Sequence, residues 1–161
     1  MVIDDFELAR AVHVLAVVHW IGGVAVVTTI VLPVARRLSN PKDAIAAFET
    51  FERRFARQVR VSILLVGLSG LYMLMKLDAW DRFLYASFWW MYLMVAMWVL
   101  FALMVYVLEP LVLHRLFHEF ALRQTQRAFA LAIRLHVIAL FMSVLTIAAA
   151  ILGAHGGLLW N

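Results

Sequence analysis

Residues 13–38 read "HVLAVVHWIGGVAVVTTIVLPVARRL", and their reading decides the fold. Between the second histidine and the arginine pair every side chain is apolar, small or threonine. An α-helix rises 1.5 Å per residue, so roughly 20 such residues cross about 30 Å of hydrocarbon. The stretch is long enough to do that, and its two arginines mark where it returns to water. His13 and His19 are the discordant residues, because an imidazole is costly in lipid unless it finds a polar partner or a ligand.

Three further runs of the same kind follow, so spans are expected at about 11–34, 61–75, 88–108 and 135–153. Backbone polar groups in lipid need partners within the chain, which makes these spans helices rather than open strands. Composition agrees. Of 161 residues 66% are hydrophobic and 15% charged, with a mean hydropathy of +0.93. A water-soluble fold of one-domain length could not hide that much apolar surface. The opening "MVIDDFELAR" carries three acids and predicts no cleavable signal. The chain has no cysteine, which excludes disulfides, thiolate sites and iron–sulfur clusters. No Walker loop, dinucleotide fingerprint, Ser–His–Asp set or paired-carboxylate site is present.

Positive charge is distributed unevenly. Arg36, Arg37, Lys42, Arg53, Arg54, Arg57 and Arg60 lie between the first two spans; Arg115, Arg123, Arg127 and Arg134 lie between the last two. The opposite side holds Arg10, Lys76 and Arg82. The positive-inside rule then predicts a multi-pass protein of a bacterial-type inner membrane with both termini outside. The net charge of +4 is a topology signal with some attraction to anionic lipid, not a nucleic-acid footprint. Asn40 and Pro41 suit the N-cap and first turn of a helix that runs on into the second span. Phe48, Phe51 and Phe55 give it one apolar face. The segment after Pro110 is expected to behave likewise and flow into the fourth span. The predicted architecture is an all-α integral membrane protein: one domain, 1–161, forming an antiparallel four-transmembrane-helix bundle with helical cytoplasmic extensions.

Depth sorts the histidines. His13 lies about one turn below Arg10, and His19 is about 9 Å deeper. His155 follows the fourth span near the level of His13, and His136 sits just above Arg134. Six residues separate His13 from His19, about 120° around a helix, so one face cannot present both equally. Neutral imidazole is an axial ligand for haem iron, and helical bundles hold such cofactors in their interiors. The plain alternative is an interhelical hydrogen bond to serine, threonine or a carbonyl. His114 and His118 form an i, i+4 pair beside Glu119, which reads best as a solvated face. Met91, Met94 and Met97 repeat at three-residue spacing on the third span; thioethers with imidazole suit Cu(I), and methionine is also ordinary packing material. Trp80, Tyr85 and "FWWMY" read as an interfacial aromatic belt. Gly22, Gly23, Gly67 and Gly70 permit close helix approach or leave room for a flat macrocycle. Arg57, Arg60 and Arg134 ring the cytoplasmic face, where they would meet haem propionates or lipid phosphates.

The first of these stretches resembles the first span of small membrane proteins related to the copper-resistance D (CopD) domain and to HemJ. The shared pattern here is His13, Trp20, Gly22, Gly23, Pro33, Arg36 and Arg37. Residues 51–74, "FERRFARQVRVSILLVGLSGLYML", are similar to their second helix, so the likeness covers roughly the first half of the chain. It implies that His13 is the family histidine, linked to haem b in HemJ-like members, and that His19 is extra. Those proteins commonly carry a lysine near the start of the third span, where this chain has Met91 or Tyr92. The leading expectation is a membrane protein binding one or two haem b, with His13, His19 and His155 as iron ligands. His136, Tyr92, Arg57, Arg60 and Arg134 are further cofactor contacts. It would transfer electrons between membrane quinol and an outer-side acceptor or small oxidant, with a redox partner protein or a second copy as partners. The alternatives are CopD-like copper handling through His and Met, HemJ-like protoporphyrinogen oxidation, or a non-catalytic subunit.

Overall fold

The computed structural model describes residues 4–156, with the side chains of Leu113 and His114 excepted. The described residues are helical throughout apart from short turns, and no strand occurs among them. Four helices among them are long and apolar enough to cross a membrane.

Helix α1, Asp5–Arg36, starts where the Asp4 carboxylate accepts the Phe6 N–H at 3.3 Å. Its turn Val27–Val31 is π-helical, and the cause lies two residues further on. Pro33 has no N–H, and its ring would press on the carbonyl four residues back. The widened turn relieves this: the Leu32 N–H reaches five residues back, to Val27 O. Thr28 and Thr29 cover neighbouring carbonyls, donating to Val24 O and Ala25 O at 2.6 and 2.7 Å.

Helix α2, Pro41–Lys76, runs unbroken for 36 residues, about 54 Å and well beyond a bilayer's hydrocarbon. Asn40 caps it by accepting the Lys42 N–H at 3.0 Å, with Pro41 in the first turn. Both features agree with the sequence expectation. After a left-handed Asp78 (φ 46°), short 3₁₀ turns at Ala79–Leu84 and Ala86–Phe88 lead into α3, Trp89–Leu103.

The third helix extends beyond the span end expected near residue 108. Pro110 does not end the third helix. The chain continues through it as a π-helical stretch, Met104–Leu113, and on into α4, His114–Ala154. As at Pro33, widening the turn accommodates a proline more cheaply than breaking a helix in apolar surroundings. The direction change falls instead at Gln124, whose backbone is non-helical (φ −144°, ψ 63°). Twelve helical residues would separate Phe117 from Phe129 by about 18 Å, yet their ring centroids lie 5.6 Å apart. The chain therefore folds back at Gln124.

Buried side chains form three clusters. One, near the 37–40 turn, gathers Leu32, Ala35, Ile45, Phe48, Ala121 and Phe129. The next joins Trp20, Val24, Val59, Ile63 and Val66, with Phe101 edge-on to Trp20 at 4.8 Å. The third holds Trp90, Met91 and Ala149. Outside these, long rows of leucine and valine are open, Leu15 at 68% and Leu64 at 52% exposure among them. Only 11% of the apolar window of the third helix is buried, against 28% in the first and second. Apolar surface on this scale needs a non-aqueous environment.

Candidate functional site

The stripe Ala16, Trp20 and Val24 forms the buried face of α1, and His13, seven residues before Trp20, belongs to the same face by helical spacing. The half-buried His13 reaches across to α2. Its Nδ1 lies 3.1 Å from Val66 O and 3.0 Å from Ser69 Oγ. A carbonyl oxygen can only accept, so Nδ1 carries the hydrogen and donates it. Ser69 donates in turn to the Leu65 carbonyl. The ring lies against Gly70, where a Cβ would come within 3.2 Å of His13 Cε1.

His19 lies off that face and is exposed, but its Nδ1 meets Ser62 Oγ at 2.9 Å. Ser62 and Ser69 are seven residues apart, on one side of α2, and they receive His19 and His13 respectively. That pairing makes α1 and α2 antiparallel. The 120° offset between the histidines is thus taken up by approaching one serine line from two flanks. No hydrogen bond joins either histidine to His136 or His155 among the described residues. His136, half-buried, donates from Nδ1 to Ala132 O at 2.9 Å. His155, exposed, donates from Nδ1 to Ile151 O at 2.8 Å.

His13, His136 and His155 therefore share one arrangement. Carbonyl oxygens fix each as the Nδ1–H tautomer, and each Nε2 lone pair has no protein donor among the described residues. This is how ligating histidines are commonly oriented, one nitrogen held by a carbonyl and the other turned to the metal. Among them only His13 is held by a neighbouring helix. A further unmatched group lies on its face of α1: Trp20 Nε1 is buried without a hydrogen-bond partner. Among the described residues no three histidines or carboxylates are gathered into a metal-binding group.

Arg60 Nη2 pairs with Glu109 Oε2 at 2.7 Å, and Tyr106 donates to Arg60 O at 2.6 Å. Arg57 and Arg134 are exposed. The Tyr92 hydroxyl donates to Phe83 O, and its ring stands edge-on to Phe83. Met91 and Met94 pack with Trp90, Phe83 and Phe88. His118 Nδ1 contacts Glu49 Oε1 at 2.6 Å, while the His114 side chain lies outside the described residues. At two of the glycines the close-approach reading fits. A Cβ on Gly23 would fall 2.0 Å from the Phe55 ring, and one on Gly67 2.5 Å from Trp98. At these two positions the close approach is made by the protein's own aromatics. Gly22 alone of the four has nothing within 4 Å.

Ser62, Ser69 and Glu109 were not singled out by sequence reasoning. A signal for each exists: two serines seven apart on an apolar helix, and a lone carboxylate before Pro110. The chain matches no family model, no curated protein and no solved structure.

Proposed function

We propose that this protein is an integral-membrane b-type cytochrome, in which His13 ligates haem b and electrons pass between membrane quinol and an acceptor or small oxidant on the outer side. The observation that carries this reading is the His13 ring, fixed by Val66 O and Ser69 Oγ so that Nε2 stands free. Bound haem would supply one-electron redox chemistry. The chain's own part is to fix the ligating tautomer and to bury the ligand's face of α1. Arg60 is already met by Glu109, and Arg57 stands twelve residues, about 18 Å along α2, from the serine that holds His13, so neither is placed to meet the propionates of a haem held there. The unmatched Trp20 N–H supports the reading, since a buried donor without an acceptor costs about 1–3 kcal/mol. The likeness of residues 13–38 to CopD and HemJ proteins favours the same histidine. His19, His136 and His155 are the candidates for the opposite axial position.

In this reading the four helices form an antiparallel bundle in a bacterial-type inner membrane, both termini outside. Eleven basic residues on the connections at one end, against three at the other, support that orientation. The visible spectrum of detergent-purified protein tests the function. A Soret band with a sharp reduced α band is expected, and His13→Ala should abolish or shift it. A colourless preparation containing copper would replace the proposal with copper handling. A colourless, metal-free preparation from haem-replete cells would remove both.

A further inference from the structure

Five of the fourteen lysines and arginines are answered by the protein itself. Arg60 has Glu109, Lys76 has Asp5 and Arg115 has Glu119, while Arg36 and Arg127 donate to glutamine oxygens. Among those that are not, Arg53, Arg54 and Arg57 stand out by lying together. Together with Thr50 they line one hollow of about 490 Å³ on the water-side extension of α2, and no carboxylate lines it. None of the three guanidinium groups has a hydrogen bond or ion pair among the described residues. Positions 50, 53, 54 and 57 repeat at three and four residues, so all four side chains share one face of the helix. Like charges at that spacing repel unless a counter-anion sits between them. Thr50 donates its own hydroxyl to Ala46 O, which leaves the guanidinium groups as the hollow's donors.

Depth indicates which anion. The second apolar span begins near residue 61, so Arg57 stands about 6 Å and Arg53 about 12 Å from the hydrocarbon edge. The headgroup layer occupies about 5–7 Å on each side of the bilayer, so the Arg57 backbone lies within it and Arg53 and Arg54 stand roughly 4–7 Å beyond it, on the water side. A guanidinium offers paired N–H donors matched to two oxygens of one phosphate. We propose that Arg53, Arg54 and Arg57 form a binding site for the phosphodiester of an anionic phospholipid headgroup. The site rests on the membrane reading and is independent of haem.

Native mass spectrometry of protein released from mixed phosphatidylglycerol–phosphatidylcholine nanodiscs tests it. The wild-type protein should retain phosphatidylglycerol at least about tenfold over phosphatidylcholine. The triple variant Arg53→Gln, Arg54→Gln, Arg57→Gln should lose that preference. Arg37→Gln, Lys42→Gln, Arg123→Gln, which removes the same charge elsewhere, should keep it. Equal loss in both triple variants would overturn the site in favour of diffuse attraction. Displacement of the lipid by excess inorganic phosphate would overturn the lipid in favour of free phosphate. Phosphorus NMR of phosphatidylglycerol titrated into wild-type protein gives a reading independent of any variant's folding. Unbroadened resonances there would overturn the proposal. A chain that washes out of membranes with carbonate would fail the membrane reading first; one that stays and shows no lipid preference would fail only here.

Discussion

His13 and His19 reach the same neighbouring helix, yet they stand in different surroundings. His13 shares the buried face of α1 with Trp20, while His19 is open. Because Val66 O can only accept, protein prepared without haem should show His13 by ¹⁵N NMR with Nδ1 protonated and Nε2 bare; the opposite tautomer would remove the argument for ligation. Ser69→Ala should cost about 0.6–1.7 kcal/mol, the range for a side-chain hydrogen bond between membrane helices, read from unfolding in mixed micelles. The glycine pair beside them gives a sharper contrast. Gly23→Ala drives a Cβ into the Phe55 ring and should destabilise by about 1–3 kcal/mol. Gly22→Ala meets nothing and should stay within about 1 kcal/mol of wild type, on the stabilising side. The same denaturation series measures both. Nothing in "WIGG" distinguishes the two glycines, because the difference is made by Phe55, 32 positions away in the chain.

At the level of helices, two ion pairs of similar length have different weight. Arg60–Glu109 and Arg115–Glu119 measure 2.7 and 2.9 Å, but their side chains are 35% and 21% exposed in the first pair and 84% and 51% in the second. Glu109→Ala leaves a partly buried guanidinium without its partner and should cost about 1–3 kcal/mol. Glu119→Ala should cost about 0.5 kcal/mol or less. Chemical unfolding of the two variants side by side checks the order, and equal costs would contradict it. Hydropathy, the Asn40–Pro41 start and the long α2 were all legible in the sequence, because each depends on residues within a turn or two of one another. The course of the chain at Pro110 was not. A proline's local preference says "stop", and only the continuity of the surrounding apolar helix makes a widened turn the cheaper answer. The serine partners of His13 and His19 were hidden for a related reason. They depend on the register of α1 against α2, which no single helix specifies.

For the molecule as a whole, the absence of native cysteine allows single reporters to be placed anywhere. The proposed orientation predicts that Ser39→Cys reacts with a membrane-impermeant maleimide only after the cells are opened, and that Asp81→Cys reacts on intact cells. The reverse pattern would invert the topology and place the arginine hollow on the outer side. The fold-back at Gln124 also bears on how such a protein is handled and how its length drifts. A protease, or a tag inserted by an engineer, needs several residues of pliant backbone. Among the described residues such slack lies at 37–40 and 77–88, whereas at the Gln124 corner a single residue leaves the helix and Phe48, Phe117 and Phe129 pack on one another across the bend. Lengthening the chain there would prise those rings apart, so the second half behaves as one folded staple with nothing to spare at its bend.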